Sequence, residues 1–368
     1  IDKVFEQTDL VKIIGDIVDL KKTGANYKGK SPFTDERTPS FVVSPAKNIW
    51  KCYSTGKGGN SAVSFMMQYK QMEYPEAIEY LANEINLPIE YEDNEEAKKY
   101  QEKKEKQEKL RPILQSVINK FRDKFKRLPE DHPAKVEVFE KRKYTEQTAE
   151  AYEIGYAPGH RFIYDLCIEH GVKDPATQLG LISDKGDKWV DRVIYPLHEA
   201  KGGKILPAGI AGRSLSDDKK YAKWMNSSIS PLYHKDEYWY GMDKAREAIV
   251  KKGEAFIVEG YNDVISLQVN GVQNVIASSG TAIGAKQILK LKKLCQRVIL
   301  WFDPDKAGID AIEKYTTLFF SSGFRVLVVE TKDDPDDFCR SADAETFQAT
   351  TADNKSWTDG IMWLLKHN

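Results

Sequence analysis

"RVILWFDPDKAGIDAIEKYTTLFFSSGFRVLVVE", Arg297 to Glu330, carries the decision about the fold. Its opening is almost continuously apolar, the pattern of a strand buried on both faces. Asp303 and Asp305 then flank Pro304, which holds the residue before it extended and stops the strand from pairing further. From Lys306 the apolar residues recur at helical spacing as far as Gly323, and "FRVLVVE" is a second buried strand. The same unit occurs upstream, where strand "EAFIVEG" leads to helix "NDVISLQVNG" and strand "NVIASS" leads to helix "GAKQILKLKKL". Strands alternating with helices from residue 253 to 340 predict a parallel α/β sheet with right-handed crossovers.

In such a sheet ligands gather at the carboxyl ends of the strands. Glu259 stands there after the first strand, and Asp263 follows within the first turn of the next helix. Asp303 and Asp305 end the third strand and, two residues apart in an extended segment, point the same way. After the last strand, "KDDPDDF" supplies Asp334 and Asp336. Any one of these is most simply a helix cap or a turn residue. Three clusters converging on one sheet edge repel each other unless neutralised, and hard oxygens suit Mg²⁺ or Mn²⁺. Two such ions about 4 Å apart could clamp the attacking and leaving oxygens of a phosphoryl transfer.

The rest of the chain divides by composition. At 368 residues there is room for two or three domains, and 41% apolar with 30% charged residues reads as globular. There is no run of about 20 apolar residues to cross a membrane and no signal-peptide pattern, so no membrane partner is expected. Cys52, Cys167, Cys295 and Cys339 lie far apart without a CxxC pair, a reduced usage that implies a cytoplasmic protein. The net charge of −1 hides a basic segment from Lys21 to Lys57 and an acidic one from Asp303 to Asp337. Residues 1–92 read as one small unit of a ribbon plus helices, with Asn60 as cap of "SAVSFMMQYK" and Pro75 in the first turn of "PEAIEYLANEI". Residues 93–109 are a charged linker, a solvated helix or a tether, and 110–252 form a mixed α+β unit.

"KGKSPFTDERTPSFVV", Lys28 to Val43, and "NIWKCYSTGKGGN", Asn48 to Asn60, have the form of two halves of a metal ribbon. Where thiolates and imidazoles belong stand Ser31, Thr34, Cys52 and Thr55. Phe33, Phe41, Val43, Trp50 and Tyr53 can supply an apolar core instead, and Ser31 with Thr34 can hydrogen-bond across the gap. Lys28, Lys30, Arg37, Lys47, Lys51 and Lys57 are interleaved with Tyr27, Phe33, Trp50 and Tyr53, cations for phosphates and rings for bases. Lys30, Arg37, Trp50, Lys51 and Lys57 are therefore the candidate contacts to single-stranded DNA.

"VEGYNDVISL", "SSGTAI", "ILWFDPDKAGIDA" and "DDPDDF" resemble, in order and spacing, the Toprim core of bacterial replicative (DnaG-type) primases. The resemblance implies that Glu259, Asp303 and Asp305 are catalytic. It also implies that Glu259, Asp263, Asp303, Asp305, Asp334 and Asp336 hold divalent ions; Pro304 stands where the family usually has Gly. "AGRSLSDDKKYAKWMNSSISPLYHK" resembles the family's nucleotide and template segment, placing Arg213, Lys223, Asn226 and Lys235 on matching positions, with Trp224, Ser228 and Ile229 as departures. Arg142 and Arg192 match two further arginines. The family places Cys, His, Cys and Cys at the positions of Ser31, Thr34, Cys52 and Thr55, so zinc is not expected and Cys52 is read as a small buried hydrophobe.

The resemblance runs from Ile1 to about Arg340, with 341–368 the start of a helical subdomain. It implies a DNA-dependent RNA polymerase that makes short primers on single-stranded DNA from ribonucleoside triphosphates. A replicative helicase would be a partner through a region beyond this chain. A Toprim nuclease and a non-catalytic single-strand binding protein are the rival readings.

Overall fold

The computed structural model describes residues 2–70, 72–89, 95–201, 203–218, 220–280, 282–352 and 357–367. The boundary expected at 92–93 and Thr281 of the "SSGTAI" turn lie outside these residues. The chain forms two units, one of residues 1–97 with 200–204 and 250–253, the other of 98–199, 205–249 and 254–368. From Glu95 the expected linker is part of a single helix, Glu95–Lys126. Its Glu, Lys and Gln residues are strong helix formers, and Leu110, Leu114, Val117, Ile118 and Phe121 give its second half a buried stripe.

In the first unit, β1 (Lys21–Thr23), β2 (Asn26–Gly29), β3 (Phe41–Ser44), β4 (Ile49–Cys52) and β5 (Gly58–Gly59) form an antiparallel sheet in chain order. Alternation decides the core: Phe41 and Val43 on β3 and Trp50 and Cys52 on β4 face inward, paired Phe41 with Cys52 and Val43 with Trp50. Two helices cover that face. The first, Ala62–Tyr69, is capped by Ser61, one residue later than Asn60, because Ser61 Oγ accepts from Ser64 N at 3.1 Å and Ser64 Oγ accepts from Ser61 N at 3.2 Å. The second, Tyr74–Glu84, carries Pro75 in its first turn as expected.

The second unit holds two larger sheets. One contains β6 (Gly155–Ala157), β7 (Arg192–Lys201), β8 (Lys204–Ser214) and β9 (Trp224–Asn226), in the order β9-β8-β7-β6. The other contains β10 (Glu254–Val258), β11 (Val275–Ala277), β12 (Arg297–Leu300), β13 (Arg325–Val328) and β14 (Thr358–Asp359), in the order β11-β10-β12-β13-β14. The first four of these pair in parallel, as the sequence predicts. β14 was not expected: it pairs antiparallel with Leu327 and Val328, and the helix Gly360–His367 that follows buries Trp363 to 1% exposure. Residues beyond 341 thus complete this sheet rather than only opening a helical subdomain.

The strand order matters for the site. The chain steps from β10 outward to β11 and returns to β12 on the other side, so β10, β12 and β13 are consecutive neighbours. Their carboxyl ends are where the three acidic clusters begin.

Candidate active site: a carboxylate cluster at three adjacent strand ends

Glu259, one residue past β10, accepts a hydrogen bond from the backbone N–H of Asp303 at 3.2 Å, which ties the first cluster to the second. Burial pushes the Glu259 carboxyl up to about 7, and the charge of Asp303 adds to the effect. Asp263 lies in the first turn of the helix Tyr261–Val269 and accepts from Gly260 N at 2.8 Å; burial pushes it up to about 8. Asp303 is pushed up to about 6 by burial and then by Asp334 and Asp305, with Lys223 pulling the other way. Asp305 caps the helix Lys306–Ser321 through Gly308 N at 2.8 Å, and Asp334 caps Pro335–Ser341 through Asp337 N at 2.7 Å. Burial, then the neighbouring Asp336, raises the Asp334 carboxyl as well. The cap reading and the ligand reading are therefore not exclusive. Glu259, Asp263, Asp305 and Asp334 each spend one oxygen on a backbone N–H, and among the described residues no hydrogen bond engages the other.

Asp336 differs. Carboxylate oxygens of Asp334, Asp336 and Asp337 lie within 4.8 Å of one another, but Asp336 is 1% exposed and both of its oxygens are taken. Oδ1 accepts from Ser266 Oγ at 2.5 Å and pairs with Arg340 at 2.5 Å; Oδ2 pairs with Arg142. Arg142 in turn places its Nε 3.1 Å from Glu137 Oε1, and Arg213 Nε lies 2.6 Å from the same oxygen. Glu137 sits on a π-helical turn, Val136–Lys141, closed by a hydrogen bond from Arg142 N to Glu137 O at 3.1 Å. The result is one chain of alternating charge: Arg213, Glu137, Arg142, Asp336, Arg340. Asp336 is thus in the cluster as an anchor for arginines.

The remaining candidates separate by burial. Arg192 is buried, and its Nη1 donates to the carbonyls of Gly212 at 3.1 Å and Ala222 at 3.0 Å, which is the work of a structural cation and corrects the expectation that it meets a nucleotide. Asn226 donates to Ser279 O at 3.0 Å and accepts from Tyr261 OH at 2.5 Å, joining β9 to the residues after β10 and β11. Lys223 is exposed, and its charge is felt at Asp303; Lys235 is half-buried at the start of a 3₁₀ turn. Trp224 is half-buried, with ring centroids 5.2 Å from Tyr195 and 5.0 Å from Tyr261 and the Arg213 guanidinium 5.9 Å away.

In the ribbon unit, Lys30, Arg37 and Lys51 are exposed and Lys57 is half-buried, 4.8 Å over the Phe33 ring. Trp50 is not a base-stacking ring. It is 1% exposed, packed 5.6 Å from both Phe33 and Phe41, with Nε1 donating to Ser64 Oγ at 3.2 Å. Tyr53, expected in the core, is 70% exposed, because β4 ends at Cys52 and the chain turns outward. Ser31 bonds Cys52 rather than Thr34, and Cys52 is buried but hydrogen-bonded, not merely a hydrophobe. Glu137, Ser266 and Arg340 escaped the sequence reading. Only Arg340, four residues after Asp336 in "DDFCR", carried a local signal.

Comparison with known proteins follows this division. A family described as CHC2 zinc finger matches residues 1–97, one described as DNA primase catalytic core, N-terminal domain, matches 121–246, and a Toprim-like family matches 256–339. The chain is 33% identical over 370 residues to the DNA primase of Listeria monocytogenes, across 97% of this chain. The chain belongs to the DnaG-type primase family. It is also 35% identical over 356 residues to the DNA primase of Clostridium acetobutylicum, across 94% of its length. It spans little more than half of these relatives, 58% and 57%. Among solved structures it is similar to the Aquifex aeolicus primase (zinc binding and RNA polymerase domains), with a TM-score of 0.60, 28% identity, and coverage of 95% of this chain and 84% of that one. All six carboxylates fall within the Toprim-like match, and the middle-unit cations within the catalytic-core match. Among the described residues no helix is long and apolar enough to cross a membrane.

Proposed function

We propose that this chain is the RNA-synthesising part of a DNA primase: on a single-stranded DNA template it joins ribonucleotides into short primers. The observation that carries the reading is the carboxylate cluster. Glu259, Asp263, Asp303 and Asp334, from three neighbouring strand ends, all have carboxyls raised by burial and by neighbouring acids. A group of acids held against its own repulsion fits divalent cations, and the all-oxygen donor set fits Mg²⁺ or Mn²⁺.

Glu259, Asp263, Asp303, Asp305 and Asp334 are the residues that would hold such ions. When bound, the ions supply charge stabilisation at the phosphoryl group and lower the pKa of the attacking hydroxyl. The chain's own residues do the rest. The 3′-hydroxyl of the growing primer, or of the first nucleotide, attacks the α-phosphate of the incoming ribonucleoside triphosphate; its proton passes to the Glu259 carboxylate or to water, and pyrophosphate leaves. Arg213, Lys223 and Lys235 provide the positive charge that a triphosphate and a template backbone need, and Arg142 is held beside the acids by Glu137 and Asp336. Lys30, Arg37, Lys51 and Lys57 serve the template on the ribbon unit. A replicative helicase is the expected partner and is assigned to no residue of this chain.

The test is primer synthesis on a mixed-sequence single-stranded template with ribonucleotides and Mg²⁺ or Mn²⁺, run beside an Asp305→Ala variant. Labelled short RNA from the first and none from the second is the expected result. Template degradation in place of synthesis would replace this reading with a nuclease, and tight template binding without product from either protein would replace it with a binding protein.

A further inference from the structure

The ribbon unit matches a family described as a zinc finger, yet its donor set does not fit the metal. Zinc in a structural site takes four deprotonated thiolates or neutral imidazoles in a tetrahedron. Ser31, Thr34, Cys52 and Thr55 offer three alcohols, which stay protonated near neutral pH, and one sulfur. Geometry agrees with chemistry. Cys52 Sγ lies 3.1 Å from Ser31 Oγ, in direct hydrogen-bond contact. Two such donors sharing one tetrahedral zinc would stand roughly 3.5 Å apart with the ion between them.

A closed polar ring occupies the place instead. Cys52 Sγ is also 3.3 Å from Ser54 Oγ, which lies 2.9 Å from Ser40 Oγ. Ser40 Oγ donates to Glu36 Oε2 at 2.6 Å, while Glu36 Oε1 accepts from Ser40 N at 2.9 Å and from Ser31 N at 2.7 Å. Ser31 closes the circuit, its N–H on Glu36 and its Oγ on Cys52, and the same Oγ also accepts from Phe33 N at 3.0 Å. The two turns that a metal would clip are those at Ser31–Thr34 and Cys52–Thr55, and this ring ties them together. Glu36 is its hub: one carboxylate satisfies three donors, and charge-assisted bonds of this kind are about twice as strong as neutral ones. The aromatic core beneath makes an ion dispensable. Phe33, Phe41, Trp50 and Phe65 stand with centroids 5.3 to 6.2 Å apart.

We propose that this ribbon takes no zinc and that the Glu36 carboxylate, through Ser31, Ser40, Ser54 and Cys52, does the holding that the metal does in a zinc ribbon. The proposal stands whether or not the chain synthesises primers. A fold of this kind does not respond to chelators. Nor does it lose its clip when thiolates oxidise, because Cys52 is the ribbon's one sulfhydryl and is fully buried.

The experiment uses the full chain, dialysed against zinc and then freed of loose metal, with zinc content read by mass spectrometry and unfolding followed with and without a strong chelator. Zinc far below one per chain, with an unchanged midpoint, is the expected result. About one zinc per chain, lost to the chelator together with several degrees of stability, would overturn the proposal. Glu36→Gln is expected to lower the midpoint of the ribbon's unfolding by roughly 5 °C, and an unchanged midpoint would remove Glu36 as the hub. The triple variant Ser31→Cys, Thr34→His, Thr55→Cys is expected to gain about one chelator-sensitive zinc per chain. If it gains none, the donor atoms are not what excludes the metal and that attribution fails.

Discussion

Glu137→Gln is the substitution that most directly probes how the arginines beside the acidic cluster are held. The glutamate side chain is 3% exposed, and a single oxygen serves Arg142 Nε at 3.1 Å and Arg213 Nε at 2.6 Å. Glutamine keeps the shape, removes the charge, and can turn an amide donor toward a guanidinium that only donates. Breaking a buried ion pair by neutralising one partner costs about 3–5 kcal/mol. Two features of this site lower the figure. Arg142 keeps Asp336 as a partner, and the two arginine side chains retain 18% and 16% exposure. The expected loss is therefore about 2–3 kcal/mol, a fall of roughly 5–10 °C in midpoint for a unit of this size. Urea unfolding of Glu137→Gln, of Arg213→Met and of the double variant measures it. In the double variant the stranded cation is gone, so the losses should fall short of their sum by about 1 kcal/mol or more. A single-variant cost below about 0.5 kcal/mol, or strict additivity, would refute the shared-carboxylate account.

Three further expectations follow from the same geometry. A Cβ at Gly308 would stand 2.0 Å from the Asp303 carbonyl oxygen and 2.9 Å from its carbon, so Gly308→Ala must move the Asp303–Asp305 loop. It should cost about 1–3 kcal/mol and weaken Mn²⁺ binding measured by calorimetry; unchanged Mn²⁺ affinity would separate the loop from the cation site. Trp50→Ala should destabilise the ribbon by about 3–5 kcal/mol in thermal unfolding, whereas Lys51→Ala should leave folding intact and flatten the salt dependence of single-strand binding; the reverse pattern would return Trp50 to the binding surface. Glu259, Asp263 and Asp303 are pushed up to about 7, 8 and 6, so without cations the folded state binds more protons than the unfolded chain. Their contribution to stability is complete below the ordinary carboxylate range and is lost as the pH rises through 6 to 8. Divalent cations displace those protons, so the gain in melting temperature on adding Mg²⁺ should be larger at pH 8 than at pH 5 and smaller in Glu259→Gln; a gain independent of pH would contradict it.

The parallel sheet was legible because its strands are apolar on both faces, and strand ends fix where carboxylates collect without any knowledge of contacts. Glu259, Asp303 and Asp334 accordingly follow adjacent strands, near enough for the two aspartates to raise the Glu259 carboxyl. Most of what engages Asp336 is remote along the chain: Arg142, 194 residues away, pairs with it and Ser266, 70 residues away, donates to it, and only Arg340 is near in sequence. Glu137 was invisible for the same reason, its value coming from Arg213, far along the chain on β8. Trp50 shows a different limit. Cations and rings alternate along a ribbon strand whether the rings face a base or a core, and only the cross-strand register with Val43 decides which. β14 is two residues long, too short to leave a period in the sequence.

That short strand has a consequence for the boundaries of any working fragment. β13 would be an edge strand ending in buried Val326, Leu327 and Val328, and the backbone of Leu327 and Val328 is matched by Thr358 and Asp359. Trp363 then plugs the gap beneath the helix that follows. A fragment cut just after the last acidic motif would keep every carboxylate of the cluster and yet present an open, apolar strand edge, a template on which a second molecule can add itself. The acid cluster and the sealed edge thus need different minimum lengths of this chain: the acids are complete by Asp336, while the edge is sealed only by Thr358 to His367.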